Sequence, residues 1–302
     1  MAHSHDHEGA ASYLSRAFAL GVALNVGFVV VEATYGVVAN STALLADAAH
    51  NASDVLGLGL AWGAASLARR NPSQRYTYGL RSSTVLAALA NSVLLLVAVG
   101  GVSWEAIRRL AEPGTVEGLT VLAVAAVGVV INAASALLFM RGRAHDANVR
   151  AAFSHLAADA GVSFGVVLAG VVIWKTGWSW VDPAMSLAVS IVVLVSTWSL
   201  LREAVHLALA GVPEGIDIAA VRIFLQALPS VSEVHDLHIW AMGTTEVALT
   251  AHLVMPWCAE PPAFLGQLEQ ELRTRFGIDH ATVQLEPNED AEPCPLAPDD
   301  VI

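Results

Sequence analysis

The sequence predicts a membrane all-α domain of six transmembrane helices followed by a small C-terminal α+β domain. Three observations predict it. Of 302 residues, 55% are hydrophobic and only 14% are charged, which excludes an ordinary soluble domain. Six apolar segments recur at roughly 14–38, 43–67, 82–107, 117–140, 151–174 and 181–207. Each is long enough to cross the ~30 Å hydrocarbon core of a bilayer. Beyond about Gly211-Val212-Pro213 the composition turns polar, and sixteen of the 27 acidic residues follow Leu201.

Residues 1–12 form a polar arm bearing His3, His5 and His7, an alternation able to collect a divalent metal loosely. No basic stretch precedes the first apolar run and no A-x-A site follows it, so that run is expected to stay as a helix. Spans in lipid are helical because every backbone polar group must be satisfied internally. The membrane domain is bounded at 13–210. Its turns at Asn40-Ser41, Glu112-Pro113-Gly114 and Thr176-Gly177-Trp178 carry little positive charge. The 69–81 loop holds Arg69, Arg70, Arg75 and Arg81, and the 141–150 loop holds Arg141, Arg143 and Arg150. With Arg16 and Arg202, one side has nine basic residues against three on the other, Arg108, Arg109 and Lys175. The positive-inside rule therefore places both termini in the cytoplasm.

The second domain, 211–287, reads in the order α-β-β-α-β. A helix is expected over Ile216–Leu228, strands over Val231–Trp240 and Val247–Val254, an amphipathic helix over Pro262–Phe276 and a last strand over His280–Leu285. The tail, 288–302, is acidic and proline-rich and is expected to be disordered. Cys258 and Cys294 are too few for a disulfide framework and suit a reducing compartment. With few basic residues in the soluble part, nucleic acid is excluded as a partner.

The chemistry concentrates in two spans. In the second, Asp47, His50 and Asp54 fall at i, i+3 and i+7 and project from one helical face. Such groups cost roughly 2.5–3.5 kcal/mol each in hydrocarbon unless partnered. In the fifth span, His155 and Asp159 repeat the H-x-x-x-D spacing of His50 and Asp54. Residues at i and i+4 are neighbours on a helix, so each pair aims one nitrogen and one oxygen at the same point. Two such helices facing each other supply a tetrahedral His2Asp2 set, which suits Zn2+; Ca2+ and Mg2+ want more oxygens. The competing reading of each pair is an interhelical hydrogen-bond clamp, and the repetition favours metal. Asp47 and Asn51 are expected to orient His50 or to line an access route, with Asn25 and Glu32 on the first span sharing that route.

In the second domain His235 and His238 fall on opposite strand faces, so one site cannot take both without a bulge. His252 and His280 are candidates to converge with one of them, with Glu286 or Asp236 adding oxygen. There is no phosphate-binding G-x-x-x-x-G-K-[ST], no H-E-x-x-H and no G-x-S-x-G elbow. The expected protein is no enzyme, and a transporter here would be driven by an ion gradient rather than by its own ATPase.

Several segments together resemble the cation diffusion facilitator family, in particular its bacterial zinc-exporting branch. They are Ser41 to His50 with Asp54, Asn148 to His155 with Asp159, Val234 to Trp240, and His280 to Gln284. The resemblance runs from about Leu14 to Glu286. It implies a ferredoxin-like, metallochaperone-like cytoplasmic domain and a homodimer in the bacterial inner membrane, among its lipids. It implies exchange of Zn2+, with Cd2+ or other divalent transition metals as further candidates, for H+. It assigns the transport site to His50, Asp54, His155 and Asp159, and a regulatory zinc site to His235, His252 and His280. The long histidine-rich loop of some relatives is missing, and only His145-Asp146 remains there, so the N-terminal histidines are the candidate for metal capture, the other reading being a plain polar arm. A metal sensor and a membrane-embedded zinc hydrolase are the two readings from other classes. Four full ligands with no spare general base weigh against the hydrolase.

Overall fold

A computed structural model of the protein describes residues 23–112, 114–140, 147–255 and 263–287. The N-terminal arm, the start of the first span, His145 and Asp146, Cys258, and the acidic tail with Cys294 lie outside the described residues. Six helices come first among these: α1 (Ala23–Val38), α2 (Thr42–Ala68), α3 (Ser83–Ala111), α4 (Gly118–Phe139), α5 (Ala147–Thr176) and α6 (Val181–Ala208). Then follow α7 (Ile218–Gln226), β1 (Glu233–Ala241), β2 (Val247–Val254), α8 (Phe264–Phe276) and β3 (His280–Glu286). Helices α3 to α6 each contain a stretch long and apolar enough to cross a membrane. Helix α2 is as long but is not among them, since Asp47, His50, Asn51 and Asp54 interrupt its apolar run.

Two compact units divide the chain, Met1–Gly59 with Asn91–Ser199, and Leu60–Ala90 with Leu200–Ile302. The first has the burial pattern of a membrane protein. Val30, Val37, Val97, Val130 and Val195 face outward, whereas Glu32, Asp47, Asn51, Asn132 and Asp182 are buried. Its apolar core joins Phe28, Leu44, Leu95, Val121, Val166 and Val193. Small residues bring α4 and α5 together: a Cβ on Gly170 would lie 2.7 Å from the backbone nitrogen of Leu122.

The α1–α2 turn and the start of α2 are held by polar contacts. Asn40 adopts φ +55°, a left-handed conformation that asparagine tolerates. Its carbonyl accepts from Arg109 Nη1 at 2.6 Å, and Arg109 Nε donates to Glu105 at 2.8 Å. The buried Asp182 carboxylate, from the first turn of α6, accepts from Thr42 N at 2.6 Å and Thr42 Oγ1 at 2.8 Å. It also accepts from Ser41 Oγ and, at 3.4 Å, from Ala43 N. An acid on another helix thus satisfies the orphan donors at the start of α2 and complements its dipole.

The second unit takes in the last turns of α2, the first two turns of α3, the end of α6 and the whole α+β domain. Asp217 caps α7, accepting from Ala219 N at 2.9 Å and Ala220 N at 3.3 Å. The sheet order is β1-β2-β3, with β1 antiparallel and β3 parallel to β2. The parallel pair needs a crossover, which α8 provides. Gly277 ends α8 at φ +69°, the left-handed stop that glycine adopts without penalty. Leu225, Ile239, Leu249, Leu253, Leu272 and Ile278 fill the core of this domain. At the start of α3, Arg81 pairs with Glu246 at 2.7 Å, and Thr84 Oγ1 accepts from Thr244 N at 3.0 Å.

Candidate metal centres

Helices α2 and α5 run antiparallel, so their two H-x-x-x-D pairs meet with partners exchanged. His50 Nε2 lies 3.1 Å from Asp159 Oδ1, and His155 Nε2 lies 3.2 Å from Asp54 Oδ2. Within each helix, His50 is 3.8 Å from Asp54 and His155 is 3.5 Å from Asp159. The two rings stand nearly perpendicular, at 77°, with centroids 6.1 Å apart. Four ligands about 2 Å from a tetrahedral zinc ion sit roughly 3.3 Å from one another, and the four His–Asp separations bracket that value. Donor atoms of His50, Asp54 and Asp159 all lie within 4.8 Å of one another, and His155 stands just outside that group. The cluster is lopsided: the Asp159 side chain is 4% exposed and that of His155 is 51% exposed.

The residues expected to support His50 are placed differently. Asp47 Oδ2 accepts from Ser163 Oγ at 2.8 Å, and Asn51 Nδ2 donates to Glu32 Oε2 at 3.0 Å. His50 Nδ1 is buried without a hydrogen-bond partner. Neither Asp47 nor Asn51 orients the imidazole, because both point toward neighbouring helices rather than back along α2. Glu32 is joined to α2 through Asn51, and Asn25 is partly buried with its carbonyl oxygen unpartnered. Two contributors escaped the sequence reading, Ser163 and Asp182. The acid at the start of the sixth apolar run marks Asp182 locally as a helix start but not as a partner of α2.

The second cluster lies on the sheet. Register sets His235 opposite His252, and β3 brings Glu286 beside them. His235 Nε2 is 3.2 Å from Glu286 Oε2, and His252 Nδ1 is 3.0 Å from Glu286 Oε1. Asp236 sits at φ +49° in a bulge between His235 and His238. Its carboxylate reaches His238 at 2.8 Å and His252 at 3.4 Å. The bulge thus ties His238 to the rim of a cluster that strict alternation would deny it.

His280 does not join. It pairs with Ala248, four register places from the Gln284 that faces His252, or roughly 13 Å along the strand. Its ring packs edge-on against Tyr78 at 5.6 Å. Glu286 takes the third position expected of His280.

Comparison with known proteins agrees with both halves. A family model described as "Cation efflux transmembrane domain" matches residues 18–207, and "Cation efflux protein, cytoplasmic domain" matches 213–288. The chain is 35% identical over 285 residues to the metal cation efflux system protein CzcD of Cupriavidus metallidurans, covering 94% of this chain and 89% of that protein. It is 37% identical over 293 residues to the zinc transporter ZitB of Escherichia coli, covering 95% and 93%. It is 32% identical over 291 residues to a cadmium, cobalt and zinc/H(+)-K(+) antiporter of Bacillus subtilis, covering 95% and 92%. A solved structure of the metal-bound C-terminal domain of the CzcD transporter is 39% identical, with TM-score 0.22, covering 24% of this chain and 99% of that one.

Proposed function

Because the chain belongs to the cation efflux family, a family of multi-pass membrane transporters of metal cations rather than enzymes, we propose that it exports Zn2+ from the cytoplasm in exchange for H+. The observation that carries this reading is the crossed His50–Asp159 and His155–Asp54 arrangement between α2 and α5. Two carboxylates cancel the ion's 2+ charge, which makes the loaded site tolerable at membrane depth. Histidine and carboxylate in equal number favour Zn2+, with Cd2+ as a secondary cargo. Transport proceeds by alternating access in a homodimer of the bacterial inner membrane, with both termini cytoplasmic. Facing the cytoplasm, neutral imidazoles bind the ion. Facing outward, protons displace it, since histidine ordinarily titrates near ~6.5.

In proteoliposomes with an acidic lumen, external zinc is expected to accumulate inside while the lumen loses protons. Acidifying the zinc-loading side from about pH 8 to pH 6 should slow uptake, because protonated imidazole cannot ligate. Uptake indifferent to both manipulations would overturn proton exchange.

The domain layout behind this reading is an N-terminal arm, a membrane domain over 13–210, a cytoplasmic domain over 211–287 and a tail. In the cytoplasmic domain, His235, His252 and Glu286 form a regulatory zinc site. Zinc there neutralises an acidic surface and draws the two copies together. Small-angle scattering of the full protein should show a more compact dimer with zinc than with chelator. Identical profiles would refute the regulatory role.

A further inference from the structure

We propose that Glu32 and Asp47 form a proton-binding site separate from the metal ligands, a carboxyl–carboxylate pair that carries one of the exchanged protons. This rests on the zinc–proton exchange reading and adds where a proton is held. Both side chains are buried at 0% exposure. Each has one neutral donor, Asn51 for Glu32 and Ser163 for Asp47. Asn51, which donates to Glu32, stands one helical turn from Asp47 on the same face of α2, so the two carboxyls are neighbours. Beyond these contacts, Glu32 Oε1 and Asp47 Oδ1 have no donor of their own. An ionised carboxylate only accepts, and a protonated carboxyl supplies the donor that these unpartnered oxygens lack. Two adjacent buried carboxylates cannot both stay ionised.

Among the described residues, no lysine or arginine is bonded to either carboxyl. Helix α1 offers no other charged residue among Ala23–Val38, and α4 has none. Helix α2 contributes His50 and Asp54, and α5 contributes His155 and Asp159, all on the metal side. On α5, Arg150 and Lys175 lie twelve or more residues from Ser163, about 18 Å or more along the helix.

The position of the pair fits the role. Asp47 precedes His50 by three residues on α2, and Ser163 follows Asp159 by four on α5, so the pair lies about one helical turn from the ligands, toward the α1–α2 turn. In the proposed orientation that is the outer side, from which protons arrive. The pair takes up a proton as zinc leaves outward, and it gives that proton up when the next Zn2+ settles one turn away. Ion and proton therefore occupy neighbouring sites rather than competing for every ligand. Asn25 Oδ1 and both amide atoms of Asn132 are further buried polar atoms without partners. Such groups, on α1 and α4, are where water binds and protons pass.

The test is simultaneous measurement of zinc and proton flux in proteoliposomes for the wild type, Glu32→Gln and Asp47→Asn. Both variants are expected to keep zinc binding by calorimetry within about threefold, because neither carboxyl is bonded to a ligand in the way whose loss costs 10–100-fold. They should keep zinc–zinc counterflow without a pH gradient, and should move one proton fewer per zinc than the wild type. An unchanged proton-to-zinc ratio with counterflow intact would overturn the proposal. So would loss of zinc binding in properly folded variants, which would make the pair part of the metal site. Should neither variant fold, infrared spectra of zinc-free wild-type, Asp54→Asn and Asp159→Asn protein decide. A protonated-carboxyl band should persist at neutral pH in all three, and its absence in the wild type sinks the pair. Failure here leaves the four-ligand reading standing. That reading fails only if zinc transport survives loss of the ligands themselves.

Discussion

Replacing His50 and Asp159 together by alanine is expected to cut zinc flux into proteoliposomes by about 100-fold or more, since even outer partners of a metal ligand are worth 10–100-fold. The double variant removes the closest donor pair, at 3.1 Å. It leaves Asp54 with His155, two ligands where the ion needs four. Flux within a fewfold of wild type would remove the tetrahedral site from the mechanism. The companion variant His50→Asp keeps four donors but makes three of them oxygen. It should widen the selectivity toward Cd2+ and Mn2+, which accept oxygen more readily. Unaltered zinc preference in competition uptake would mean that selectivity is set elsewhere.

The second large effect is expected on stability. Asp182→Ala should cost about 2–4 kcal/mol, the combined scale of a lost cap and buried hydroxyls left without an acceptor. The carboxylate serves Ser41, both donors of Thr42 and the amide of Ala43. Without it, the first turn of α2 starts with buried, unpaired N–H groups. Thermal melts in detergent should show a clear drop in midpoint, with Asp182→Asn losing less because its carbonyl oxygen still accepts. A midpoint equal to wild type would show that this end of α2 is held by packing alone.

The contrast between these residues explains what was legible in the sequence. His50, Asp54, His155 and Asp159 stand out because helical spacing on an apolar background makes a polar repeat unmistakable, and spacing alone puts each pair on one face. Asp182 lies at the edge of its span, just before Pro183, where an acid reads as an ordinary helix start. Its partners are some 140 residues away in the chain, a relation that no local pattern carries. The strand histidines fail differently. Alternation gives the face a residue occupies but not its place along the neighbouring strand, and His280 lies four register places from the residue that faces His252. The bulge at Asp236 breaks the alternation itself, through one residue at positive φ. Asp47 and Asn51 were legible as buried polar groups, but their direction depends on which helix packs beside them. Ser163 and Glu32 settle that.

The uneven exposure of the four ligands bears on speed. A cage of four rigid, enclosed donors would hold its ion for a long residence and turn over slowly. Here three donors form a sheltered nest, while His155 sits half in the open. On the proposed reading, an ion arriving from solvent would meet exposed His155 first and exchange its waters one at a time for the sheltered donors. Departure would retrace those steps, with His155 the last to let go and each small barrier crossed separately. In the proposed site, affinity and lability, which usually trade against each other, would fall to different members of one coordination shell.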